Sequence, residues 1–144
     1  MIKLIVVGKM KNRALAELCE DYKSRISRYC PIEICELKDS TPQKEGEKML
    51  ESLEKFKGKV YVMSEEGLLL NSVKFSKSIE SDLQYGGSAF VIGSAYGLSE
   101  KIKQRADYLI SLSPMTFTHE FARAILLEQI YRAKNISANT GYHH

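Results

Sequence analysis

The chain begins with a continuous apolar run, Leu4-Ile5-Val6-Val7, that stops at Gly8, and apolar side chains then recur at Ala14, Leu15, Leu18, Tyr22 and Ile26. A short β-rich run closed by glycine predicts a buried strand, and the three-to-four residue spacing after it predicts one face of a helix. Ile32-Glu33-Ile34-Cys35-Glu36-Leu37 alternates with period two as a second strand, and Thr41-Pro42 then opens a helix with Met49, Leu50, Leu53 and Phe56 on one side. Val60-Tyr61-Val62-Met63 predicts a third strand. Asn71 or Ser72 caps a helix through Val73, Phe75, Ile79 and Leu83, which Gly86-Gly87 ends. Ala89-Phe90-Val91-Ile92 reads as a fourth strand buried on both faces, Ser99 to Arg105 as a short helix, Tyr108 to Leu112 as a fifth strand, and Thr118 to about Lys134 as a final helix.

Regular alternation of strands and helices implies an α/β fold, a mainly parallel sheet flanked by helices. The 144 residues, 44% of them hydrophobic, suit one compact domain over 1–144 and leave no room for a second. In an open parallel sheet, ligands bind beyond the carboxyl ends of the strands. That rule selects Met63-Ser64-Glu65-Glu66-Gly67, Gly93-Ser94-Ala95-Tyr96-Gly97-Leu98 and Ser113-Pro114-Met115-Thr116-Phe117. The middle segment is small and glycine-rich, which admits positive φ at Gly93 or Gly97 and lets backbone approach a flat ligand. Glycines after a strand serve equally as plain turns, so the segment is a weak signal alone.

The final helix carries more apolar surface than one core covers. Ala122, Leu126, Ile130 and Ala133 form one arc, while Phe121, Ala124, Ile125, Leu127 and Tyr131 form another on the opposite flank. Glu128 and Arg132, an i,i+4 pair, interrupt the second arc; they fit either a subunit interface or site, or a solvated ion pair.

Charge and cysteine usage narrow the classes. Twenty-one basic against 18 acidic side chains give a formal charge of only +3, too balanced to announce nucleic-acid binding. The first 28 residues do hold Lys3, Lys9, Lys11, Arg13, Lys23, Arg25 and Arg28 against Glu17, Glu20 and Asp21, an excess suited to nucleic-acid phosphate or simply to a soluble helix face. Cys19, Cys30 and Cys35 are odd in number and form no C-x-x-C pair, which argues against a disulfide framework or zinc site and for a reducing cytoplasm. The run Leu4–Val7 is too short for a signal-peptide core or a membrane span. Neither G-x-G-x-x-G after the first strand nor G-x-x-x-x-G-K-[ST] occurs, which disfavours a nucleotide-binding module.

The ordered set Phe90 to Leu98, Ser111 to His119, Glu128 to Ala133 and the terminal Tyr142-His143 resembles the SPOUT-class methyltransferases of the ribosomal RNA large subunit methyltransferase H family. Val6 to Lys11 and Lys44-Glu45-Gly46-Glu47 match that family too, so the resemblance spans nearly the whole chain. It implies a SPOUT fold with a C-terminal trefoil knot and a homodimer acting on the bacterial ribosome. It also implies methyl transfer from S-adenosyl-L-methionine to N3 of a pseudouridine in the helix 69 loop of 23S rRNA. Carried over by position, the cofactor pocket falls on Met63, Gly93, Leu112, Ser113, Pro114, Met115, Thr116 and Phe117. Two positions depart from the family pattern: Ser94, where Gly-Gly is usual, and Thr118, where proline is usual.

A sulfonium methyl group needs alignment with its acceptor more than a Lewis acid, so no metal and no membrane partner is expected. The N3 proton must leave, and His119, Glu128 and His143 are the candidates to take it. Tyr142 is placed to stack on an unstacked base, and Arg132 and Arg123 to hold phosphates; Glu120 suits the helix dipole. Two rival readings stay open: a SPOUT enzyme for another RNA position, and a non-enzymatic ribosome-binding factor of the same fold.

Overall fold

Strands buried on both faces must present apolar side chains in both directions, and that is why the first and fourth read as unbroken apolar runs. A computed structural model describes residues 1–144. The elements are β1 (Ile2–Val7), α1 (Arg13–Ser27), β2 (Ile32–Leu37), α2 (Pro42–Leu53), β3 (Lys59–Leu69), α3 (Ser72–Leu83), β4 (Ser88–Val91), α4 (Glu100–Arg105), β5 (Tyr108–Ser111) and α5 (His119–Ala138). The strands form one five-stranded sheet in the order β2-β1-β4-β3-β5, with every pairing parallel. Leu4, Val6, Tyr61 and Phe90 pack toward α1, α3 and α5. Ile5, Val7, Val62 and Val91 pack on the other face with Met49 and Leu53 of α2 and Ile102 of α4. Asn12, Thr41, Asn71, Ser99 and Thr118 each cap a helix by accepting from the amide three residues on, a contribution of about 1 kcal/mol apiece.

Three sequence expectations change. The third strand does not stop at Met63; it runs to Leu69, and its pairing with β5 jumps at Ile110, which lies opposite both Met63 and Leu68. Ser64 to Gly67 is thus an excursion within a strand rather than a loop after it. On α1, Cys19 and Ile26 are buried whereas Ala14 and Leu18 face outward, because the helix rolls its Cys19 side onto the sheet. On α5, Ala124 and Leu127 join Leu126, Ile130 and Ala133 in the core, so the outward apolar surface shrinks to Phe121 and the half-buried Ile125 and Tyr131. The helix also runs past Lys134 to Ala138, where Asn139 at φ 53° ends it in the left-handed conformation that asparagine tolerates.

The amino end of α5 is fastened to the carboxyl ends of β1 and β2. Arg123 is buried, not a surface phosphate ligand: Nη1 donates to Glu36 Oε2 at 2.8 Å and Nη2 to the Gly8 carbonyl at 2.9 Å. Glu120 does more than suit the helix dipole, since Oε1 accepts the amides of Lys11 at 2.8 Å and Asn12 at 2.9 Å. Those backbone bonds, Asn12's above all, hold its carboxyl below the usual range.

The Arg123 side chain is 5% exposed and that of Glu36 40% exposed, so the two ends of this ion pair respond differently to loss of the partner. Glu36→Ala strands a buried guanidinium and is expected to destabilise by about 3 kcal/mol. Arg123→Met leaves a carboxylate that water can reach and is expected to cost about 1 kcal/mol. Urea unfolding of both variants checks the order, and equal or reversed losses would contradict it.

Candidate active site

Because all strands run the same way, the three ligand segments emerge at one sheet edge. Val62 of β3 lies opposite Val91 of β4 on one side and Leu109 of β5 on the other. Gly93 and the stretch from Leu112 therefore flank the excursion of β3, separated by two strand spacings, about 10 Å. Met63, half-buried and paired with Ile110, lies between them.

Short side chains shape the stretch after β5. Ser111 Oγ accepts the Ser113 amide at 3.1 Å and donates to the Ser113 carbonyl at 2.8 Å, and Ser113 Oγ accepts the Met115 amide at 3.0 Å. Thr116 Oγ1 donates to Glu65 Oε2 at 2.5 Å and so ties this stretch to the β3 excursion. The main-chain amides and carbonyls of Gly93, Leu112 and Thr116 make no hydrogen bond within the chain. Polar main-chain groups gathered at a strand edge without partners are the donors and acceptors that a planar ligand uses. Pro114, Met115 and Phe117 are exposed, Met115 at 76%.

Gly97 adopts φ 89°, and its amide closes a tight turn on the Ser94 carbonyl at 3.0 Å. The Ser94 hydroxyl does not crowd the ligand side; it donates to Glu45 Oε1 at 2.9 Å. Glu45 is 2% exposed, and its other oxygen accepts the Ser40 amide at 2.8 Å. Glu45 thus braces the glycine-rich turn from α2. No role for it was read from spacing, yet the signal is present: Glu45 sits four residues before Met49 on the apolar face of that helix, where an unpaired carboxylate is costly.

The candidate catalytic side chains divide. Asn139, Thr140 and Gly141 (φ 82°) reverse the chain after α5, with Thr140 bonded to Asn135 through backbone (3.2 Å) and side chain (2.5 Å). The tail returns along its own helix, so Tyr142 OH donates to Glu128 Oε1 at 3.1 Å and Arg132 Nη1 meets His143 Nδ1 at 3.1 Å. Glu128 is the hub, accepting Arg132 at 2.6 and 3.0 Å and the Gln129 amide at 2.9 Å. Arg132 lies 4.8 Å over the Tyr142 ring, and Tyr142 meets Tyr131 edge-on at 4.9 Å. Burial, then the bonds to Tyr22 and Glu128, raise the Tyr142 hydroxyl's pKa. The hydrogen bond to Glu128 raises that of Arg132. His119 stands apart at the first position of α5, about 14 Å along the axis from Glu128.

A cleft of about 540 Å³ opens between the start of α3, the end of β5 and α5, with Ser72, Phe75, Ser111 and Gln129 in its wall. Of the candidate residues only Leu112 and His143 border it. Gly93 and Met63 lie outside. No three histidine, cysteine or carboxylate side chains come together as a metal-binding group.

Residues 1–143 match the family described as predicted SPOUT methyltransferases. A Clostridium perfringens protein named ribosomal RNA large subunit methyltransferase H 1 is 41% identical, covering 99% of this chain and 98% of its own. The Trichlorobacter lovleyi protein named ribosomal RNA large subunit methyltransferase H is 38% identical, with 99% of each chain covered. Among solved structures, the Aquifex aeolicus TrmH/SpoU tRNA modifying enzyme superposes with TM-score 0.53 at 15% identity, over 95% of this chain and 77% of the other. The SpoU methyltransferase AviRb from Streptomyces viridochromogenes, solved in complex with the cofactor AdoMet, gives 0.50 at 11% identity over 96% and 61%. The family match over residues 1–143, with 41% identity to a relative over 99% of the chain, identifies the chain as a member of the SPOUT methyltransferase family.

Proposed function

We propose that the chain transfers a methyl group from S-adenosyl-L-methionine to N3 of a pseudouridine in the helix 69 loop of bacterial 23S rRNA, working in the cytoplasm as a knotted homodimer on assembled ribosomes. One observation carries the reading. In a chain of this family, the free main-chain groups of Gly93 and Leu112 lie just beyond β4 and β5, with Met63 of the intervening β3 between them. The relatives' names, which specify large-subunit rRNA, support the substrate.

Met63, Gly93 and Leu112 to Phe117 form the cradle: main-chain groups match the polar edges of a purine and an amino acid, while Met63 and Leu112 supply apolar contact. When bound, S-adenosyl-L-methionine supplies a methyl carbon on a sulfonium sulfur, and the protein's contribution is alignment, worth up to about 10 kcal/mol of barrier in well-oriented reactions. Tyr142 offers a ring face for an unstacked base. Glu128 and Arg132 hold Tyr142 and His143 in position for the pyrimidine, and His119 at the mouth of α5 reaches toward RNA. Lys9, Lys11 and Lys23, which join no ion pair within the chain, provide cations for phosphate. The exposed Tyr96 (82%), Met115 (76%) and Phe121 (52%) favour a second copy completing the site, since such side chains gain by leaving water.

Incubated with ribosomes lacking this methyl group, the protein is expected to add one methyl to the helix 69 fragment, read by mass spectrometry of rRNA digests; methylation of free tRNA instead would overturn the assignment. Gly93→Val places a side chain within 2.7 Å of Leu98 and beside the cradle. Calorimetry is expected to show cofactor affinity lost in a protein that still melts cooperatively, at a lower temperature because Leu98 must shift, and unchanged affinity would remove Gly93 from the site. Deleting residues 141–144 is expected to preserve cofactor affinity while reducing turnover by at least about 100-fold, the scale of losing one group positioned against the reacting ring. Normal turnover of the truncated enzyme would show that the tail is dispensable.

A further inference from the structure

A guanidinium has hydrogen-bond donors and no acceptor. At the 3.1 Å contact between Arg132 Nη1 and His143 Nδ1, the imidazole nitrogen must therefore accept, and a proton on Nδ1 would point at a cation. Arg132 cannot turn away, because Nε and Nη2 both donate to Glu128 Oε1, at 3.0 and 2.6 Å. Glu128 is itself held by Gln129 and Tyr142, at 2.9 and 3.1 Å. A neutral imidazole with Nδ1 unprotonated carries its hydrogen on Nε2. Nε2 has no partner within the chain, and His143 borders the cleft beside Leu112.

We propose that the Glu128–Arg132 pair fixes His143 as the Nε2–H tautomer, so that His143 acts as a hydrogen-bond donor to a ring carbonyl of the pyrimidine and not as the base that removes the N3 proton. The inference rests on the function proposed above. N3 of a uracil ring lies between two carbonyl groups, and loss of its proton spreads negative charge onto both oxygens. A fixed N–H aimed at one of them stabilises that charge as it develops, which is the role of an oxyanion donor. In the balanced step the N3 proton goes to water, the N3 electron pair forms the bond to the methyl carbon, and the carbon–sulfur pair goes to sulfur as the sulfonium becomes a thioether. A lone pair already engaged by Arg132 is not available to take a proton, so His143 contributes through Nε2 alone. Glu128 and Arg132 are then positioning residues, neither touching the ring.

The tautomer is read from the protein without substrate. In the full chain carrying imidazole-¹⁵N histidine, with His143 assigned by its absence from His143→Gln, two-bond ¹⁵N–¹H correlation is expected to show Nδ1 unprotonated and Nε2 protonated. Arg132→Met is expected to abolish that preference. A protonated Nδ1, or no change on Arg132→Met, overturns the proposal. Turnover separates donor from base, because glutamine places an amide N–H near the position of Nε2 but cannot accept a proton. His143→Gln is expected to stay within about 10-fold of the parent while His143→Ala falls about 100-fold or more. Equal losses in the two variants overturn the donor role. Failure of the parent protein to methylate rRNA would instead sink the function proposed above, and the spectroscopic result would stand by itself.

Discussion

The close approach of β3 to β5 at Gly67 is the constraint on which the candidate site depends. Strand β3 meets Ile110 twice, once through Met63 and again through Leu68, and the chain between must leave the sheet and return. A Cβ at Gly67 would fall 2.6 Å from the backbone of Leu109 and Ile110, a distance no side chain accommodates, because backbone in a paired strand cannot step aside. Glycine lets the excursion close, and the excursion carries Glu65 to Thr116. The stretch from Leu112 to Phe117 therefore gets its shape from a neighbouring strand as well as from its own serines. Gly93 stands on the far side of β3, steadied through Ser94 by the buried carboxylate of Glu45.

Much of this architecture is legible in the residues. Continuous apolar runs closed by glycine marked β1 and β4, a short run with glutamates set between apolar residues marked β2, and Asn, Ser or Thr residues marked the starts of α2 to α5, since each feature reflects forces acting over a few residues. The double contact of β3 with Ile110 was not legible. It depends on pairing between segments some 45 residues apart, and Gly67 taken alone reads as a turn. The exposure of Leu18 and the burial of Ala124 and Leu127 follow from how far each helix rolls about its axis, which a wheel drawn at fixed angle leaves open. Arg123 failed as a surface arginine for a related reason: its acceptors, Glu36 on β2 and Gly8 just after β1, lie far from it along the chain.

For the candidate site, the strand-end rule selects segments that the sheet does bring to neighbouring strand ends, whereas the grouping of Glu128, Arg132, Tyr142 and His143 needed the fold. Glu128 and Arg132 could be paired by their spacing, but nothing local brings Tyr142 and His143 to them. That step depends on Asn139 and Gly141 taking positive φ and on Thr140 bonding to Asn135, which turn the chain back along the helix it has just left. His119, a candidate to take the N3 proton, is separated from the others by the rise of the helix itself.

The same helix that presents Glu128 and Arg132 is anchored at its other end by Arg123 and Glu120, so its orientation is set at two points by partners on β1, β2 and the start of α1. Between the anchors and the tail, Ala124, Leu127 and Ile130 bury one side against the sheet. Rotation of α5 would expose that apolar side and strand the buried guanidinium, two costs that act in the same direction. The cluster formed by Glu128, Arg132, Tyr142 and His143 therefore rests on a rigid support. The tail is held to that support by its hydrogen bonds to Glu128 and Arg132, by the edge-on contact of Tyr142 with Tyr131 and by Arg132 lying over the Tyr142 ring, so α5 sets the position of His143.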